Sequence, residues 1–233
     1  MKKNNVSTVI KKAYKKYHTK GEPTRYMSWE YCYGFFNKNK SKFEKEDILD
    51  TAALHLAFYL ASWGMYRGSS FLLQYDYKVH AGALKIMAEN KYSRLQGLYK
   101  TDDVTVDIVS TMFKLVEKLK KYYKKQCGEK PTDTLITKIL LGTFGCTPAY
   151  DRYVKQEIRE QTSESNKSLK ASFNEKQFKS LIDWIKSKDK DESISNLKLI
   201  GNDGHGKFEY PLMKKIDMYF WESAPKEEKD QKD

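Results

Sequence analysis

Apolar residues recur along this chain at intervals of three to four from end to end, while period-two alternation is scarce and glycine and proline number only 12 and 5. That spacing lines one stripe of a helix and cannot line one face of a strand, so the chain is expected to be all-α. With 233 residues it can bury a sizeable core. We expect a single helical domain over residues 1–224, a compact multi-helix body, followed by a charged, disordered tail over 225–233. A division into two helical lobes around a basic cleft stays open.

The stripes place the elements. Val6, Ile10, Ala13 and Tyr17 share one face of a first helix, with Lys11, Lys12, Lys15 and Lys16 around the rest. Residues 22–24 mark a turn; Met27, Tyr31, Phe35 and Phe36 form the next apolar face, and 37–42 is a polar linker. Residues 48–65 are apolar on most sides and are placed at the centre of the fold. Arg67-Gly68-Ser69-Ser70 reads as a turn into a helix reaching Glu89. Ile108, Val109, Met112, Phe113, Leu115, Val116 and Leu119 mark a helix ending in the basic run 118–125. Pro131-Thr132-Asp133 starts a short helix over 135–141, and a small-residue turn, 142–148, leads to another beginning near Tyr150. Residues 160–172 read as a mobile surface loop, 173–186 as helix, 201–206 as a loop, and Pro211 as the opening of a last helix over 212–221.

Lysine and arginine exceed aspartate and glutamate by 43 to 31, a formal charge of +12. The last nine residues hold three lysines and four acids, so the excess belongs to the folded part: the first helix, the run 118–125 and the surroundings of Asp151. Such a surface favours a polyanionic partner, nucleic acid and DNA first; a merely solvated basic surface is the alternative. No membrane partner is expected. The most apolar window, 52–66, is interrupted by His55, Ser62 and Gly64 and falls short of the roughly 18 to 20 apolar residues a bilayer span needs. The N-terminus leads into a basic amphipathic stretch, not an apolar leader, so a cytoplasmic location is expected. Cys32, Cys127 and Cys146 are odd in number and unpaired in spacing, which points to reduced thiols.

Most chemistries lack their residues. The four histidines, His18, His55, His80 and His205, show no metal-ligand spacing, so no metal site is expected, and His55 reads as a core histidine. There is no Gly-x-Ser-x-Gly elbow, no convincing cysteine-nucleophile motif, no P-loop and no dinucleotide fingerprint, so no cofactor is expected.

The informative stretch is 134–156, in which an apolar helix passes through a Gly/Pro turn and presents Asp151 at the start of the next helix, flanked by Tyr150, Arg152 and Tyr153. A carboxylate there can simply complement the helix dipole. The pattern also resembles the end of the signature segment of the helix-hairpin-helix superfamily of DNA glycosylases. In that family an aspartate opening a helix stabilises the oxocarbenium-like sugar as the base leaves, or positions the attacking water. The resemblance covers about 25 residues. It implies monofunctional base excision with Asp151 as the catalytic carboxylate, and Lys138 in a structural or DNA-facing role. The glycine hairpin of that family is replaced here by Cys127-Gly128-Glu129-Lys130-Pro131. The runs 60–74 and 210–221 look like those of small bacterial helical proteins, and some glycosylase-like relatives remove modified bases from phage DNA in antiviral defence.

The turn at Arg67, Ser69 and Ser70 offers a guanidinium, two hydroxyls and backbone N–H groups, a phosphate site or else a plain helix cap. Trp63, Tyr66, Tyr150 and Tyr153 can stack on a flipped base or belong to the core. The expected DNA contacts are therefore Lys138, Arg67, Ser69, Ser70, Arg152, Tyr150 and Trp63. A non-enzymatic DNA- or RNA-binding protein, with Asp151 only a helix cap, is the alternative, and a protein-interaction or abortive-infection module the third.

Overall fold

A computed structural model describes residues 5–19, 24–39, 42, 45–164 and 169–225, and among these it holds nine α-helices, several 3-10 turns and one short hairpin. The helices are α1 (Val6–His18), α2 (Met27–Asn39), α3 (Glu46–Ser62), α4 (Ala81–Met87), α5 (Val106–Cys127), α6 (Asp133–Thr143), α7 (Arg152–Glu164), α8 (Glu175–Glu192) and α9 (Leu212–Ser223). The all-α expectation is met. Starts and stops follow side-chain chemistry. Asn5, Thr105, Thr132 and Asn174 cap α1, α5, α6 and α8 by accepting from backbone N–H groups one turn on. Gly128, at φ +76°, closes α5 in the left-handed conformation that favours glycine.

The centre of the molecule is α6 and α9. Every residue from Leu135 to Thr143 is buried, as is every residue from Leu212 to Phe220. The expectation that 48–65 would form the centre is corrected. Helix α3 is covered on one side by α2, α4 and α6, and the opposite side leaves Leu54 and Phe58 at 47% and 66% exposure. A helix apolar all round needs neighbours all round, and α6 and α9 have them.

The first-helix face is as expected, with Val6, Ile10, Ala13 and Tyr17 buried. On α2 the buried face is rotated: Trp29, Cys32, Tyr33 and Phe36 face inward while Tyr31 is exposed. The rotation turns Glu30 inward to meet partners from other elements, and it brings Gly34 against the side chain of Asp203, where a Cβ would lie 2.5 Å away. The helix expected to reach Glu89 is broken into 3-10 turns at Phe71–Gln74 and Tyr77–His80 before α4. Asp76 breaks it, since its carboxylate accepts from Lys78 N at 2.8 Å and so starts a new turn.

Two further expectations change. The loop at 201–206 is the turn of a hairpin, β1 (Ile200–Asn202) paired antiparallel with β2 (Lys207–Glu209), with Gly201 opposite Phe208. The segment expected as a mobile loop from residue 160 begins as helix. There Gln161 is buried and its Nε2 donates to Glu157 Oε1 and Tyr219 Oη. Residues 165–168 and 226–233, with most of the expected charged tail, lie outside the described residues. All three cysteines are free, and no helix among the described residues is long and apolar enough to cross a membrane.

One charge inside α9 is a liability. Lys215 is wholly buried; its Nζ lies 3.8 Å from Glu209 Oε1 and makes no hydrogen bond among the described residues, and burial lowers its pKa. Lys215→Met is expected to raise unfolding stability by about 1–3 kcal/mol, measured by urea denaturation. Because the folded-state pKa is the lower one, the wild-type penalty is full below it and fades as pH rises toward the ordinary lysine range. The gap between variant and wild type should therefore narrow in alkali. A variant no more stable than wild type at neutral pH would show that Lys215 carries no net cost.

Candidate functional site

The chain leading into α7 is clamped from two sides. Tyr150 N donates to Thr137 Oγ1 at 2.9 Å, Tyr150 O accepts from Thr134 Oγ1 at 2.8 Å, and Ala149 N donates to Asp217 Oδ1 at 2.9 Å. Two threonines of α6 and one aspartate of α9 thus fix the backbone just before Asp151. Asp151 then caps α7, its Oδ1 accepting from Tyr153 N at 3.0 Å and Val154 N at 3.1 Å.

Its other oxygen faces Lys138, with Oδ2 3.7 Å from Nζ. Lys138 Nζ also donates to Trp63 O at 3.2 Å and lies 5.4 Å from the Trp63 ring centre. Both members of the ion pair are largely buried, at 17% and 6% side-chain exposure. Desolvation outweighs their attraction: burial pushes the Asp151 carboxyl up against the pull of Lys138, and lowers the Lys138 ammonium. Asp217 adds to the rise at Asp151 by like-charge repulsion, and is itself paired with Lys214 at 3.3 Å.

The pair sits in a cleft of about 390 Å³, within the range of ligand-sized sites. Its walls include Trp63, Tyr66, Tyr153 and Trp221, and Arg25, Arg67 and Arg152 also line it. Trp63 and Trp221 meet edge to face at 6.0 Å and 88°, and Tyr153 and Trp221 at 5.9 Å and 75°. The Arg152 guanidinium lies 4.7 Å from the Tyr153 ring centre and donates to its hydroxyl at 2.7 Å. Asp151 is the one acid among the described residues lining the cleft, against four cations. Such a site suits an anionic ligand with a planar group, and one carboxylate lines it.

Of the residues expected to contact DNA, Trp63, Arg67, Lys138 and Arg152 come together with Asp151. Ser69 and Ser70 line an adjoining groove, and Ser70 Oγ accepts from Leu72 N at 3.3 Å, capping the 3-10 turn that follows. Tyr150 is corrected: it is 0% exposed, its ring 4.8 Å from that of Phe173, so it belongs to the core and presents no face for stacking. The basic run of α5 is partly neutralised, Lys118 on Glu89 and Lys120 on Asp133.

Sequence reasoning missed Arg25, Trp221 and Asp217. The signal for Asp217 was present: charged residues inside a helix otherwise apolar all round must be paired, and pairing marks a built interior. The core histidine is not His55, which is half-buried and stacked on Phe35 at 4.4 Å, but His80. His80 is wholly buried between the hydroxyls of Tyr66 and Tyr123, each at 2.8 Å, and burial lowers its pKa to about 4, so it is neutral. No three histidine, cysteine or acidic side chains converge as metal ligands among the described residues. Comparison with protein-family models, curated proteins and solved structures gave no match to this chain.

Proposed function

We propose that this chain binds DNA through the basic cleft and hydrolyses the N-glycosidic bond of a nucleotide seated there, with Asp151 as the carboxylate. The supporting observation is the position of Asp151. It lies with Lys138 in a cleft walled by four aromatic rings and lined by three arginines, not on a convex surface. Aromatic walls hold an extruded base by its face, and the arginines attract the phosphates on either side.

In the reaction the C1′–N bond breaks and its electron pair leaves with the base, which takes up a proton. Positive charge develops on C1′ and the ring oxygen. Oδ2 of an ionised Asp151 lowers the energy of that cation in a largely water-excluded setting. A water then adds at C1′ and gives up its proton. Oδ1, held by two backbone N–H groups, keeps the carboxylate from swinging away.

The same two hydrogen bonds favour a second reading, in which Asp151 is a helix cap and the cleft only binds. The deciding measurement is abasic-site formation on oligodeoxynucleotides carrying damaged or modified bases, together with DNA affinity over a salt series. The proposal expects abasic sites on at least one substrate and affinity falling steeply with salt. Steeply salt-dependent binding without abasic sites on any substrate selects the binding reading. A protein that binds no nucleic acid overturns both.

A further inference from the structure

The cleft does not end at Arg67. A second groove of about 240 Å³ runs on from it, sharing Gly64, Met65 and Arg67 and adding Ser69, Phe71 and Lys130. The shared residues form the partition. Gly64 turns the chain at φ +73°, and a Cβ on it would lie 2.6 Å from Arg67 Nε. The missing side chain is what lets the Arg67 guanidinium lie back across the turn, between the two grooves. The second groove is smaller and less basic than the first, with Phe71 as its aromatic residue. Met65, Phe71 and Leu135 give it apolar surface, Ser69 and Lys130 give it donors, and Glu129 is its acid. At this volume it falls below the roughly 300 Å³ of typical self-standing ligand sites, and Gly64, Met65 and Arg67 join it to the first groove.

We propose that the two grooves seat two consecutive nucleotides of an unpaired strand, with Arg67 over the phosphodiester that joins them. This rests on the nucleic-acid reading above and adds the form of the substrate. A guanidinium on the partition is placed to pair in a bidentate manner with one phosphate while a base lies to each side. Two neighbouring bases held in separate grooves are both out of the stack. A duplex must surrender stacking and pairing at both positions, whereas a single strand surrenders little. Unpaired DNA is therefore the favoured form.

The test is competition against a fluorescent single-stranded oligodeoxynucleotide at fixed salt, using a nucleoside monophosphate, a dinucleoside monophosphate, and the same oligonucleotide as single strand and as duplex. The dinucleoside monophosphate carries one negative charge and the mononucleotide about 1.5 to 2, so charge alone favours the latter. We expect the reverse, with the dinucleoside tighter by about tenfold or more, and the single strand tighter than the duplex by a similar factor. Lys130→Ala, at an exposed position, should lower the dinucleoside's affinity by a larger factor than the mononucleotide's and so narrow the gap between them. Arg67→Ala should weaken both. A dinucleoside no tighter than the mononucleotide, or a duplex bound as tightly as the single strand, overturns the inference and leaves the cleft as a one-nucleotide site. Failure of every nucleotide to compete overturns the functional reading itself.

Discussion

Asp151→Asn is expected to cut abasic-site formation by on the order of 10²–10³-fold, the scale seen when one preorganised electrostatic contact to a transition state is removed. Asparagine keeps the side-chain oxygen that accepts from Tyr153 N and Val154 N, and it caps helices as well as aspartate does. The substitution therefore removes the charge and spares the cap. It also strands Lys138, which keeps the Trp63 carbonyl and ring as partners but no counter-charge of its own, and breaking so buried a pair costs about 3 kcal/mol. The double variant Lys138→Met/Asp151→Asn removes the stranded ammonium and should recover most of that stability without recovering activity. Single-turnover rates and urea denaturation of the three proteins separate the two effects. Full activity in Asp151→Asn would leave the aspartate as a cap alone. The pH profile carries a second signature. Activity needs the ionised carboxylate, and burial holds the Asp151 pKa above that of an ordinary aspartate. The acid limb of the wild-type profile should accordingly lie at higher pH than an exposed aspartate would give.

The parts of this molecule legible in its sequence are those set by local spacing. The stripe Val6, Ile10, Ala13, Tyr17 and the stripe from Ile108 to Leu119 each needed only the 3.6-residue period, and both are buried as spaced except for Phe113, which is partly buried. Asp151 was legible because a carboxylate after a Gly/Pro turn announces a helix start whatever else it does. Long-range packing decided the rest. The face that α2 buries depends on Glu30 finding partners on α1 and the hairpin, which no local pattern reports. Tyr150 and Tyr153 look alike in the sequence. The clamp by Thr134, Thr137 and Asp217 turns the first into the core and leaves the second on the cleft wall. Arg25 and Trp221 reach the cleft from opposite ends of the chain, so neither could be assigned to it from its own neighbourhood.

Glu30→Ala is the substitution expected to cost the most stability, about 3–5 kcal/mol, because Glu30 ties together elements distant in the chain. It is 1% exposed on α2. Oε1 accepts from His18 Nε2 at 2.7 Å and from the Tyr210 hydroxyl, and Oε2 accepts from Asn202 N at 2.7 Å. One carboxylate thus satisfies the end of α1, the first strand of the hairpin and the residue leading into α9. The other His18 nitrogen lies 2.7 Å from Tyr14 O, so both ring nitrogens face oxygens of acceptor groups. Burial, with Glu30 alongside, pushes the Tyr210 phenol well above its usual range, which keeps it a donor. Alanine leaves these donors facing a void too enclosed for free hydration, and each buried unpaired group costs about 1–3 kcal/mol. At roughly 2–4 °C per kcal/mol for a chain of this length, the melting temperature should fall by on the order of 10 °C. Lys179→Ala is the contrast. Its i,i+4 pair with Glu175 is exposed by 41% and 42%, and its loss should cost only about 0.5 kcal/mol. Equal melting temperatures for the two variants would mean that water replaces the carboxylate at no cost, and the Glu30 cluster would then not be what locks α1 and the hairpin onto α2. A fall confined to Glu30→Ala, with hydrogen exchange quickened at Asn202 and along α1, would locate the lost stability at that junction.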